Sequence, residues 1–378
     1  MIRPASFVRL TSIYIFLSLI LIDLSLLFKL LGKAYTELLI FIAFPLLIMG
    51  TLFQMYPTLQ GIAIRWEWLT YIHLALFLTN LFSFFVKPAS SPYFYFLFAL
   101  LSLAFLLINT KSLRDPSVVF FLLGGVYFAL SGFFMLMDLN LLMIKHTLTA
   151  GFFLNVILGA YYVFVPMLQV EELKHPKARW ISLILHNLSI PPFLYGWHVG
   201  NMKLVAYSGL FVLLSFFLLA FVVYQSLLQK KSPLKGLDPS VRYLILGLFM
   251  AVFFLSIGIS TAGSGNYGFI GWHRDGMLYG FLLFITIGAS YHIVPFLYWW
   301  RVYAPKIGKE KIPTLKELIN PEVLKFYLFA GLPSFVLALL NENFNPTLSS
   351  IFYALFLLVN IYYSLRILPL AFFPPPKT

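Results

Sequence analysis

The chain contains no cysteine. That removes thiolate metal ligands, disulfides, iron–sulfur clusters and covalent c-type haem attachment together. Charge is scarce as well: 10% of the 378 residues are charged, against 61% hydrophobic. That balance excludes a soluble globular protein, and no soluble domain remains between the apolar runs. The Gly-rich stretch 258–271 lacks the Gly-Lys-Ser/Thr ending of a phosphate loop, and no strand precedes it. It reads as a closely packing loop, not a nucleotide site.

What is present is apolar sequence in lengths that suit a bilayer. Runs of about 20 residues each span a ~30 Å hydrocarbon core as a helix. Twelve are read, roughly 11–31, 37–57, 66–86, 91–109, 116–137, 145–168, 179–198, 202–226, 240–261, 273–298, 322–340 and 346–369. The first is too long for a signal peptide and reads as a span. The expected fold class is an all-α integral membrane protein in one polytopic domain, 1–378.

Lys and Arg outnumber Asp and Glu, 26 to 13, for a net charge of +13. With the N-terminus cytoplasmic, the outer side receives Lys29, Lys33, Lys87, Lys145, Lys203 and Arg274, leaving twenty of the 26 inside. The basic excess is therefore a topology signal suited to anionic lipid, with both termini cytoplasmic in a cytoplasmic membrane. No nucleic-acid partner is expected; the partner is the lipid bilayer.

Three runs close on one phrase: Gly50-Thr-Leu-Phe-Gln-Met-Tyr-Pro57, Gly159-Ala-Tyr-Tyr-Val-Phe-Val-Pro166 and Gly288-Ala-Ser-Tyr-His-Ile-Val-Pro295. Thirteen residues before each Gly stands a polar head: Glu37, His146 and Asp275. The phrases fall in the second, sixth and tenth runs, so the unit is four helices repeated three times, about 1–110, 111–235 and 236–378. Arg65-Trp66 with His73, and Arg179-Trp180 with His186, form a second echo.

Ionisable groups in such runs are costly and tend to be used. His146, His198 and His273 all fall towards the outer side in this topology. Imidazoles gathered at one depth hold haem iron or copper where cysteine is absent; the bland alternative is interfacial histidines bonded to neighbours or water. His73, His186 and His292 lie towards the inner side and read as structural. Arg274 is the local candidate partner for Asp275, and Lys145 lies at a similar depth. No acidic residue in mid-span reads as a proton relay.

The segment His146-Thr-Leu-Thr-Ala-Gly-Phe-Phe, running on to Tyr161-Tyr162-Val-Phe-Val-Pro166, resembles the sixth helix of cbb-type haem-copper oxidase catalytic subunits. The stretch from His186 to Phe193-Leu-Tyr195-Gly-Trp-His198 resembles that family's seventh helix, and Gly271-Trp-His273-Arg-Asp275-Gly-Met-Leu-Tyr-Gly280, on to Pro295, its tenth. The resemblance covers about 90 residues in two blocks. It implies twelve transmembrane helices in three four-helix arcs, with subunit I-like architecture.

The same resemblance implies ligands. His273 matches the high-spin haem ligand of a His-x-His pair, whose second, low-spin position is Asp275 here. The partner low-spin ligand falls where this chain has Thr36-Glu37. Both low-spin ligands are thus replaced together. His146 matches the first copper ligand. The family's His-His pair is missing, with His198 two or three residues away, and Tyr195 matches a tyrosine near that copper, the candidate catalytic residue. Two imidazoles make a poor copper site. Three outcomes stay open: copper with another third ligand, an open haem face for a diatomic gas, or iron bound by His146 or His198, including a second haem.

The expectation is a b-type haem (heme) binding membrane protein on this scaffold, handling NO or O2 without low-spin electron entry. The alternatives are a divergent NO reductase or NO-detoxifying haem-copper oxidoreductase fed by quinol or another electron donor, and a haem or metal carrier or sensor. A conventional pumping oxidase is not expected.

Overall fold

A computed structural model of the chain describes residues 10–231, 236–318 and 320–372. Part of the basic set that orients the chain (Arg3, Arg9, Lys235 and Lys377) and the two extreme ends lie outside the described residues. The described residues form helices and connecting turns, with no strand among them.

Among the described residues eleven helices are long and apolar enough to cross a membrane: α1 Thr11–Leu30, α2 Tyr35–Leu59, α3 Trp68–Val86, α4 Pro88–Ile108, α5 Pro116–Leu136, α6 Leu141–Gln169, α8 Met202–Leu228, α9 Pro239–Ser264, α10 Tyr267–Val302, α11 Glu322–Asn341 and α12 Pro346–Leu370. The remaining helix, α7 Lys177–Val199, has 23 residues and so the length to span, about 34 Å. It is more polar, carrying Arg179, His186, Asn187 and His198. The chain is an all-helical, multi-pass membrane protein.

Helix ends follow from local chemistry. Pro116 opens α5, and the Asp115 carboxylate accepts from Ser117 N–H at 2.8 Å. Asn140 caps α6 in the same way, accepting from Leu142 N–H at 2.8 Å. Gly200 ends α7 with φ +71°, a conformation that favours glycine, and Asn201 then caps α8. This two-residue break folds α7 back against α8.

Contacts divide the chain into two compact units. One holds Met1–Thr11, Pro45–Lys235 and Val252–Ile270; the other holds Ser12–Phe44, Gly236–Ala251 and Gly271–Thr378. In the first, α3 packs on α4, α4 on α5, α5 on α6 and α7 on α8. In the second, α12 packs on both α10 and α11.

The threefold repeat has a structural counterpart. Directly after Glu37, His146 and Asp275 the backbone widens into a π-helical stretch: Leu38–Ala43, Thr147–Phe153 and Gly276–Leu282. Each then returns to α-helix before its Gly-to-Pro phrase, and Pro57, Pro166 and Pro295 all lie inside the helix. The phrase glycines are contact points. A Cβ at Gly159 would lie 2.8 Å from Phe121 of α5, and one at Gly288 would lie 2.6 Å from Tyr243 of α9.

Candidate functional site

A π-helical turn leaves backbone carbonyls in need of other donors, and such turns recur at functional sites. In α6 two side chains supply them. His186 Nε2–H donates to Ala150 O at 3.1 Å, and Asn155 Nδ2 donates to Gly151 O at 2.6 Å. His186 is fully buried, so its place is at the helix distortion. His73, its counterpart in the first repeat, is buried against Phe53 and Phe98 and bonds Ser102 Oγ at 2.8 Å.

His146 stands at the start of the same distortion. Its Nδ1–H donates to Leu142 O at 2.7 Å. In the neutral ring this leaves the lone pair on Nε2. The imidazole stacks on Trp197 of α7, 4.5 Å between centroids and 19° between planes, with Phe193 edge-on at 5.5 Å. His198 and Tyr195 take other faces of α7. At about 100° per residue, Tyr195 is roughly opposite Phe193 and Trp197, and it is 60% exposed. His198 is exposed as well. The structure therefore does not bring Tyr195 or His198 to the face of α7 that meets His146. His146 and His198 belong to one compact unit, whereas the half-buried His273 belongs to the other.

Asp275 is wholly buried and is the centre of a charge network inside the second unit. Lys29 Nζ of α1 lies 2.5 Å from Oδ2. Arg274, the partner expected from its position, binds both oxygens through Nε at 2.7 Å and Nη2 at 3.1 Å. Tyr35 OH donates to Oδ1 at 2.7 Å, and Tyr353 OH to Oδ2 at 3.4 Å. Glu342, just after α11, meets Arg274 at 3.2 Å and Lys29 at 3.5 Å. Two cations and two carboxylates thus balance, with Lys29 also over the rings of Tyr35 and Tyr353 at 4.8 and 4.3 Å. Glu37, the polar head of the first repeat, accepts from the Thr36 hydroxyl at 2.7 Å.

Glu342 lies between α11 and α12. Burial pushes its carboxyl above the usual glutamate range, Asp275 adds to this, and Lys29 and Arg274 oppose it. Neither Lys29 nor Glu342 stood out in sequence. Lys29 is one of several helix-end lysines, and Glu342 is 67 residues from Asp275.

Asp23 is an acidic side chain inside a long apolar helix. It sits within α1, where Ser364 Oγ of α12 donates to its Oδ2 at 2.9 Å. The signal was a single Asp inside the first apolar run.

His146, its ring fixed by a bond from Nδ1 to a carbonyl, has the arrangement that orients a ligating imidazole. Among the described residues no group of three or more His, Asp or Glu gathers to hold a metal ion. A haem iron needs one imidazole from the chain, which His146 or His273 could supply, whereas copper needs about three such ligands. Asp275, with both oxygens already bonded, is not disposed to ligate iron.

Spans, repeat and buried charge together define an all-α, multi-pass membrane protein. No family model matches the chain. It is similar to an uncharacterized protein of Aquifex aeolicus (strain VF5), 27% identical over 299 residues, which cover 75% of this chain and 76% of that protein.

Proposed function

We propose that this chain is a haem-binding membrane protein on a haem-copper-oxidase-like scaffold of three four-helix arcs, binding NO or O2 and lacking a low-spin haem. His273 would hold the haem iron, and His146 would be the candidate ligand of a second metal or second haem iron. When bound, haem supplies an iron with a coordination position for a diatomic ligand. The chain holds that iron through imidazole and keeps the Asp275 position occupied by its own cations. Both termini are cytoplasmic, and the membrane is the cytoplasmic one.

The observation that carries the reading is the coordination of Asp275. A carboxylate bonded by Lys29, Arg274 and Tyr35 supports loss of a low-spin iron there and not its replacement by a carboxylate ligand. The oriented imidazole of His146, at the equivalent position of the preceding repeat, supports retention of ligand function elsewhere.

Optical spectra of the purified full-length protein test this. The expected result is a haem spectrum with high-spin character, a CO difference spectrum in the ferrous form, and no copper in stoichiometric amount. His273→Ala should abolish haem binding. Absence of haem after expression with haem supply, or an unchanged spectrum in His273→Ala, would overturn it.

A further inference from the structure

Two carboxyl groups in the same unit meet opposite surroundings. Asp275 has two cations and two tyrosine hydroxyls around it. Asp23 stands seven residues before the Leu30 end of α1, about 10 Å inside it. Among the described residues its hydrogen-bond partner is the Ser364 hydroxyl, at 2.9 Å, and no lysine, arginine or histidine pairs with it. A carboxylate anion without a cation is poorly tolerated in a span, whereas the neutral acid needs little more than the hydroxyl it has.

Other buried hydroxyls of this unit have partners of their own. Tyr327 of α11 donates to Asn360 at 2.7 Å. Tyr363, next to Ser364, bonds Ser290 of α10 at 2.8 Å. On α1 itself Ser25 is two residues further on and so faces away from Asp23, with its Oγ 3.2 Å from Tyr279 OH. The Tyr279 ring stacks on Tyr35 at 6.0 Å, and Tyr35 donates to Asp275. Ser25, Tyr279 and Tyr35 therefore belong with the Lys29–Asp275 cluster and leave Asp23 with the Ser364 hydroxyl.

We propose that Asp23 is a proton-binding site inside the first span, holding its proton at neutral pH with the Ser364 hydroxyl as its partner. The ligand is the proton, and the site stands whether or not the chain binds haem. Such a site suits a membrane protein that takes up or releases protons with its work.

Infrared spectra of the full chain in lipid vesicles, in light and heavy water, test it. A protonated carboxyl has a carbonyl stretch that ionised carboxylates lack, and it shifts on deuteration. The wild type should show this band at neutral pH, and Asp23→Asn, which keeps the shape and can still accept from Ser364, should lose it. Ser364→Ala should keep the band and raise its frequency, because the carbonyl loses a hydrogen bond. Coincident carbonyl regions in wild type and Asp23→Asn would show Asp23 ionised and overturn the site.

Discussion

Lys29, in the last turn of α1, lies 2.5 Å from the carboxylate of Asp275, which immediately precedes the π-helical stretch of α10. Their side chains are 10% and 0% exposed, so water does little to screen the pair. The partners do not depend on it equally. Without Lys29, Asp275 keeps Arg274 and Tyr35; without Asp275, Lys29 and Arg274 share Glu342 alone. Asp275→Leu should therefore lower stability by about 3–5 kcal/mol, as for a broken buried pair, and Lys29→Met by less. Lys29→Met combined with Asp275→Leu should cost less than the two single effects added. Thermal unfolding of the four proteins in one detergent checks the order and the coupling.

The same network makes stability depend on pH. The Glu342 carboxyl is raised by burial and by Asp275. A raised carboxyl means that the folded state holds its proton more tightly than the unfolded chain. Its stabilising contribution is complete below the ordinary glutamate value of about 4.3 and is lost as pH rises through the higher folded value. Glu342→Gln, which cannot ionise, should flatten the fall in unfolding temperature over that window. Equal slopes in wild type and variant would remove Glu342 as the source.

Much of this fold was legible because a bilayer sets span length, and twelve apolar runs announce it. The polar α7 was found through its echo, Arg179-Trp180, despite weak hydropathy. The π-helical stretches were hidden: apolar residues on every face leave no periodicity to break. The repeat still pointed at them, since Glu37, His146 and Asp275 each stand one residue before one. The grouping of His146 with His198 rested on depth and on the resemblance, and Tyr195 joined it through the resemblance. Faces separate them, because Tyr195 is two residues from both Phe193 and Trp197 and so points away from both. Lys29 and Glu342 come from distant segments, and no local pattern announces such pairs.

Two helical glycines should respond unequally to a methyl group. At Gly288 a Cβ would meet Tyr243 Cβ at 2.6 Å and Ser240 O at 3.0 Å, neither the end of a flexible chain. At Gly263 of α9 the nearest atom would be Ala206 Cβ, at 3.5 Å, an ordinary contact. Gly288→Ala should destabilise by about 1–3 kcal/mol through overpacking. Gly263→Ala should be neutral or stabilise by up to about 1 kcal/mol through helix propensity. Unfolding temperatures of the two variants check the contrast.

The lack of cysteine makes orientation directly measurable. Lys87, between α3 and α4, and Glu310, between α10 and α11, are both exposed. With cytoplasmic termini the first falls outside and the second inside. Lys87→Cys should react with an impermeant maleimide in intact cells, and Glu310→Cys only after lysis. The reverse pattern would invert the proposed orientation.

His186 separates structural from ligating histidines. Its Nε2–H satisfies the Ala150 carbonyl within the α6 distortion, at 3.1 Å, and the ring is fully buried. His186→Ala leaves that acceptor unpaired, a cost of about 1–3 kcal/mol, and also leaves a cavity. His186→Gln keeps an N–H donor of similar reach and should recover part of the loss. Neither change touches an assigned iron ligand. If haem is bound as proposed, its spectrum should survive both substitutions at temperatures where the protein is folded, whereas His273→Ala abolishes it. Thermal unfolding and the haem spectrum, followed on the same samples, distinguish the roles. A haem band lost in His186→Gln without loss of stability would move the ligand assignment to His186 and to the Ala150 turn of α6.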